Sequence, residues 1–431
     1  MSCACAHMPD GPTEGIFSVD ASALTFGRGA VREVGALVAG LGCRRVALFT
    51  DVRVQRLEIF ERLRAGLRGI DVAVYAETRV EPTDGSFEHA AAFARAGRFD
   101  GYVSLGGGSV MDTCKAAQLL ATYPADLTTY LNRPVGAGQP VPGPLPPHVA
   151  CPPTSGTGSE LTGIAVCDVR ALHAKTGIAS RHLRPTFAVI DPDATDTLPS
   201  CVAAAGGFDV LCHALEAFTA RPFSSRPPAL SPAYRPMSQG ANRWSDLGSR
   251  EAIRLAARYF RRAVADAADV EAREQLMWAS TLAGLAFGNA GVHVPHAMAY
   301  AVAGGVRDFR MAGYAPEDPL IPHGISVAAA APHAFRFTAS AAPERHLEAA
   351  GLLGADVCGG SLADAGAQLA GVLERLMLDT SVPLGLRALG YAEADVAGLV
   401  TGTSMQRRLL DNAPCPVHDV DLHGIFTAAV A

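Results

Sequence analysis

The chain has 431 residues, 49% of them hydrophobic and 18% charged. It is too long for one ordinary core and too apolar for a disordered chain, so two packed domains are expected. A net charge of −6 and only 6% aromatic residues argue against a nucleic-acid or anionic-membrane surface and against base-stacking platforms.

In chain order, the first half alternates short apolar or β-branched runs with helical stretches. RRVALFTD (44–51), IDVAVYAE (70–77), DGYVSLGGGS (100–109), PHVACPPTSGTGS (147–159) and TFAVIDP (186–192) read as strands, two of them running into glycine turns. Segments 31–42 and 87–97 carry helical spacing between them. Strand–helix alternation predicts a parallel sheet with right-handed crossovers. Beyond Pro199 the strand signal fades. Residues 251–264, 275–287 and 361–378 read as helices, and 222–244, rich in Pro, Ser and Arg, reads as a long irregular loop that is either a lid or a surface excursion. The boundary between an α/β half and an all-α half falls near 195–200.

Two turns have the composition of phosphate cradles. Gly106, Gly107 and Gly108 follow a strand and open a helix, so bare backbone can approach a pyrophosphate, with Ser109 adding a hydroxyl. Thr154, Ser155, Thr157 and Ser159 surround a second such turn, and two turns at one sheet edge suit one dinucleotide lying across the strand ends. The spacing is not GxGxxG, and a turn without a ligand is the plain alternative. Asp51, at a strand end, would accept bonds from ribose hydroxyls and repel a 2′-phosphate, which favours NAD over NADP, or it caps its own strand. Asp112 and Lys115, three apart on one helix face, either orient the nicotinamide end or pair with each other.

Asp209 and His213 lie four apart in a helical pattern, GFDVLCHALEAF. His296 sits within an apolar stretch, where a buried imidazole needs a partner, and His323 sits between Pro322 and Gly324. One carboxylate and three imidazoles suit Fe(II) or Zn(II) with a position left for substrate. Metal plus nucleotide points to hydride transfer from an alcohol carbon whose oxygen the metal holds. His293, three before His296, competes as a ligand and is read first as a proton relay. A carboxylate-bearing substrate wants a cation, and Lys175, Arg181, Arg184, Arg226 and Arg235 are the candidates.

Ten cysteines without a repeating framework read as reduced thiols. The opening MSCACAHMPDG is neither basic nor apolar, and no apolar run reaches the ~18 residues of a membrane span. A cytoplasmic location is the resulting expectation. Cys3, Cys5 and His7 have metal-binding donors but are expected to do nothing structural.

FGRGAVREVG, GGGSVMDTCKAA, PPTSGTGSE, GFDVLCHALEAF, PHAMAY and PHGIS occur here in the order found in the iron-dependent (group III) alcohol dehydrogenases, which the chain resembles over nearly its whole length. The resemblance implies an α/β dinucleotide-binding domain (15–198), an all-helical metal-binding domain (199–431), catalysis between them, and Asp209, His213, His296 and His323 as ligands of a divalent metal, iron before zinc. RVEPTDGSFEHA, KTGIASRHLRPT and FGNAGVHVPHAMAY resemble the transhydrogenase branch, which passes hydride from 4-hydroxybutyrate to 2-oxoglutarate on an NAD that need not leave. Small hydroxyacid, oxoacid, alcohol or aldehyde substrates and a homo-oligomer, a dimer, are thereby expected. Many family members have His where this chain has Tyr300, so Tyr300, His293 or the ribose hydroxyl becomes the proton route and Lys175 a substrate contact. The usual two threonines before the second turn are Pro153 and Thr154. A plain NAD-dependent alcohol or semialdehyde dehydrogenase, and a lyase resembling dehydroquinate synthase, are the alternatives.

Overall fold

The computed structural model describes residues 13–172, 174–314 and 319–431; Cys3, Cys5 and His7 lie outside them. The chain divides into two compact units. One is Ala21–Leu198; the other is Pro199–Ala431 together with the stretch that ends at Asp20.

The first unit is built on β1 (Ala23–Phe26), β2 (Arg45–Phe49), β3 (Asp71–Tyr75), β4 (Gly101–Leu105), β5 (His148–Cys151) and β8 (Phe187–Ile190). They pair in the order β1-β8-β5-β4-β2-β3, all parallel. A parallel sheet is covered on both faces, so its central strands are continuous apolar runs. Side chains alternate across the pleat. Val46 and Leu48 of β2 join Phe60 and Leu63 in one core, while Ala47 and Phe49 join Ala90, Cys114 and Ala117 in the other.

Two parts of this unit depart from expectation. β1 is a four-residue edge strand, ALTF, paired in register Ala23↔Phe187, too short to stand out by pattern. β6 (Ile164–Val169) and β7 (Ala174–Ala179) form a separate antiparallel hairpin. Ala165, Cys167 and Val169 alternate inward along β6, a period-two signal that is present in the sequence.

The second unit is helical. Ser200–Thr219 is long and apolar enough to cross a membrane by composition alone, yet 83% of its most apolar window is buried inside the protein. It packs against Arg243–Ala265, where Gly207 leaves room for the Phe260 ring; a Cβ there would lie 2.0 Å from it. Phe208 meets Phe260 edge-on at 5.1 Å, and burying each such ring stabilises the unit by about 1.5–3 kcal/mol. Val270–Ala290 and Ala365–Asp379 fall where helical spacing predicts them.

Residues 222–241 are irregular apart from the short turns Phe223–Ser225 and Pro232–Tyr234. The segment is pinned, since Gln239 and Gly240 donate to the carbonyls of Asn289 and Ala290 at 2.8 and 2.9 Å. The described residues before Ala21 join the same unit: Ser18 and Gln239 exchange two hydrogen bonds of 2.9 and 2.7 Å.

Candidate metal and nucleotide sites

Asp209 and His213 lie one turn apart on the helix Ser200–Thr219. His296 is in the first turn of Val294–Gly304, and His323 opens His323–Ala328. Gly324 lets that last helix come in close. A Cβ there would lie 1.9 Å from the Ala205 carbonyl and 3.1 Å from the Asp209 Cβ. The donors converge on Asp209 Oδ1, which is 3.6 Å from His213 Nδ1, 3.4 Å from His296 Nε2 and 3.7 Å from His323 Nε2. The His213 and His296 rings stack at 4.4 Å, and Phe287 stacks on the other face of His213 at 3.9 Å.

The group fits a divalent cation. Asp209 Oδ1, His213 Nδ1 and His296 Nε2 are all buried and make no hydrogen bond. One ligand atom from each of these three residues lies within 4.8 Å of the others. Buried lone pairs without partners are costly, and three aimed at one point are what an ion satisfies. Burial holds His213 neutral and pushes its pKa down to about 3, with Asp209 opposing. Burial also works against the charge of Asp209, but His213, His323 and His296 hold it below the usual carboxylate range.

Glu216, seven residues after Asp209 on the same face, was not singled out from the sequence. It is fully buried, accepts from His296 Nδ1 at 2.5 Å and takes the backbone N–H of His293 at 2.6 Å. A carboxylate behind an imidazole fixes the ring so that its other nitrogen faces the metal. For His296, burial opposes the charged form, but Glu216 and Asp209 outweigh it and lift the pKa to about 10. The available signal was a lone carboxylate on an apolar helix, one turn beyond His213. His293 is also fully buried. Its Nε2 meets Thr219 Oγ1 at 3.0 Å, and that hydroxyl donates to the Leu215 carbonyl at 2.7 Å. Tyr300 lies one turn after His296 and is half-buried.

In the first unit the chain reverses direction across the sheet between β2 and β4. Such a reversal opens a crevice at the carboxyl ends of the strands. Asp51 lies two residues past the end of β2, and Gly106–Gly108 follow β4. The second turn follows β5, which pairs with β4. The two turns abut: a Cβ on Gly108 would lie 2.9 Å from Thr157 Cγ2, and one on Gly107 3.9 Å from Thr154 Oγ1. Gly158 has φ +60°. Ser155 is buried beside it.

Several side chains expected to touch the nucleotide are engaged within the protein. Asp51 Oδ1 accepts from the backbone of Arg53 and Val54 at 2.8 and 3.0 Å, so it caps the short turn Val54–Arg56 that follows β2. Ser109 Oγ accepts from the Glu81 N–H at 3.2 Å. Asp112 takes Ser159 Oγ at 2.7 Å and the Val166 N–H at 3.0 Å. The Lys115 ammonium donates to Ser159 Oγ at 2.6 Å and to the carbonyls of Ser159 and Ile164 at 2.7 and 2.8 Å. Lys115 Nζ also lies 3.7 Å from Asp112 Oδ1, and the two meet on Ser159 behind the second turn. Lys175, expected at the substrate, is buried between Glu81 and Asp168.

A unit that can seat a dinucleotide and a unit that can hold a metal are what a metal-dependent oxidoreductase needs. Family models for iron-containing alcohol dehydrogenase match residues 21–192, and for the C-terminal part of the Fe-containing alcohol dehydrogenases residues 233–430. The chain belongs to the iron-containing alcohol dehydrogenase family, which implies a divalent metal and NAD(H). It is 45% identical to the mouse mitochondrial hydroxyacid-oxoacid transhydrogenase, over 98% of this chain and 92% of that one. For the human mitochondrial counterpart the figures are 45%, 97% and 90%. A solved 1,3-propanediol oxidoreductase superposes with TM-score 0.83 at 30% identity, covering 96% of this chain and all of its own, and an alcohol dehydrogenase from Oenococcus oeni gives 0.83, 26%, 96% and 100%.

The mitochondrial relatives overturn the cytoplasmic expectation. The eight described cysteines are free, which does not distinguish one compartment from another.

Proposed function

We propose that the chain is a hydroxyacid–oxoacid transhydrogenase, moving hydride from 4-hydroxybutyrate to 2-oxoglutarate on bound NAD and yielding succinic semialdehyde and 2-hydroxyglutarate. The observation that carries this reading is the near-full-length identity to transhydrogenases of that name. Asp209, His213, His296 and His323 are proposed to hold the metal, Fe(II) ahead of Zn(II) because the family is iron-containing. Irving–Williams ordering alone would favour zinc. When bound, a divalent ion supplies Lewis acidity toward the reacting oxygen.

The chain's own residues do the positioning. Glu216 orients His296 and keeps its ring fixed. The bare backbone at Gly106–Gly108 and the Thr154, Ser155 and Thr157 turn cradle the pyrophosphate, with Asp112, Lys115 and Ser159 as the brace behind it. Asp51, just past β2, would offer its carboxylate to the ribose hydroxyls. Tyr300 is the preferred proton acceptor. His293, whose Nε2 is on a hydroxyl that already donates to a carbonyl, is assigned to supporting the His296 helix instead.

Purified enzyme is mixed with 4-hydroxybutyrate and 2-oxoglutarate without added NAD, and both products are assayed. Formation of succinic semialdehyde and 2-hydroxyglutarate in equal amounts is the expected result. A need for stoichiometric NAD, with NADH accumulating, would replace this reading by a plain dehydrogenase, the activity in the names of the solved structures of similar fold.

A further inference from the structure

Glu81 carries a side chain yet has φ +55°. A residue with a Cβ is unfavourable there unless its surroundings hold it. Glu81 is held from two directions. Its carboxylate is bound by the Lys175 ammonium, which also lies 3.2 Å from Asp168 Oδ1. Lys175 is only 5% exposed; burial opposes its charge, but Glu81 and Asp168 outweigh that and raise its pKa. The chain just after Glu81 is fixed too. The Pro82 carbonyl accepts from the Asp168 N–H at 2.8 Å, and Thr83 and Ser86 close a capping box at the start of the helix Asp84–Gly97.

With the chain fixed on that side, the φ of Glu81 sets the plane of the peptide that carries its own N–H. That N–H donates to Ser109 Oγ at 3.2 Å. Ser109 lies in the first turn of the helix Gly108–Thr122, directly after the glycines that follow β4. The N–H groups of a helix start favour an anion. A serine hydroxyl has one donor hydrogen and two acceptor lone pairs. The Glu81 N–H takes a lone pair and leaves the hydrogen for another acceptor. Ser109 is half-buried, so a ligand can be that acceptor.

We propose that Glu81 is a positioning residue for the dinucleotide. Locked by Lys175, its backbone holds the Ser109 hydroxyl so that the hydroxyl donates its hydrogen to a pyrophosphate oxygen. Neither Glu81 nor Lys175 touches the nucleotide in this arrangement, and both act on its affinity through Ser109. The inference rests on the reading of the glycine turns as the pyrophosphate seat, and not on which acids exchange the hydride.

The test titrates NADH, by its fluorescence, into the metal-loaded full chain. Ser109→Ala should raise Kd about tenfold, the size of one hydrogen bond to a charged group. Glu81→Ala leaves Lys175 paired with Asp168 but frees the peptide to abandon its positive φ, and it should raise Kd by a similar factor. In the double variant the two losses should be the same loss, about tenfold, where independent effects would multiply to about a hundredfold. Glu81→Gln still reaches Lys175 and should stay within about threefold of the parent. A role in folding alone would lower the number of binding sites and leave Kd unmoved. Glu81→Gly reads the same coupling if the alanine variant fails to fold. An unmoved Kd in Glu81→Ala, or losses that multiply in the double variant, overturns the positioning role while the parent's NADH binding keeps the nucleotide seat standing. No NADH binding by the parent overturns both.

Discussion

The two units prepare their ligand sites in opposite ways. In Ala21–Leu198 polar side chains around the glycine turns are already engaged: Ser159 links Asp112 to Lys115, and Asp51 caps the turn after β2. What remains on offer is backbone and shape, where glycine leaves two turns in contact. In the helical unit the reverse holds. Three buried side-chain atoms from Asp209, His213 and His296 are left without hydrogen bonds and aimed together. A flexible, multiply charged dinucleotide would find backbone N–H groups on a rigid edge there. A single ion would find a few strong donors in the helical unit, one of them fixed from behind by Glu216.

The comparison can be broken by variants of either unit. The largest effect belongs to the metal donors. Asp209→Ala and His296→Ala should lose bound metal and lower kcat/KM by at least about 10³-fold, several kcal/mol of lost stabilisation. In the same metal analysis Glu216→Gln should weaken affinity only about 10- to 100-fold. Unchanged metal content in both alanine variants would sink the ligand assignment.

The next effect tests the rule that the nucleotide unit hides its charges. Glu160, beside the second turn, is 3% exposed, and burial lifts its pKa to about 7. The folded state therefore holds a proton that the unfolded state releases near pH 4.5, so stability falls as pH rises from there through 7. Glu160→Gln should escape that loss. It should be more stable than the parent by about 3 kcal/mol at pH 8 and no more stable at pH 4, measured by urea unfolding. A flat difference across pH would show that the carboxylate is stabilised by partners rather than merely hidden. The smallest effect is Gly108→Ala, where one methyl must displace Thr157. NADH should bind about tenfold more weakly, a change of about 1.4 kcal/mol, with metal content unaltered.

Much of this was legible because its signals are local. The strands β2, β4 and β5 are short, mostly apolar runs, and the two glycine turns follow β4 and β5. The proposed metal donors stood out for a different reason: imidazoles and a carboxylate in apolar helices need an explanation wherever they fall. What escaped depends on partners far along the chain. β1 is specified by its pairing with β8 and not by its own four residues. Glu216 becomes informative only once the chain brings it to His296, 80 positions away. The partners of Lys115 and Lys175 were not legible, because a sequence shows a charge but not the carbonyls and carboxylates folded around it.

The helix Ser200–Thr219 carries two proposed metal donors, the glutamate behind a third, and Phe208 and Phe218 of the hydrophobic core. Cofactor loading and structural integrity are thus written on one rod. An ion held there by the folded state alone adds stability that grows with the logarithm of its free concentration. The melting temperature of the chain becomes a gauge of occupancy. Chains that miss their metal during biogenesis are marked, before any catalytic failure, as softer substrates for proteolysis.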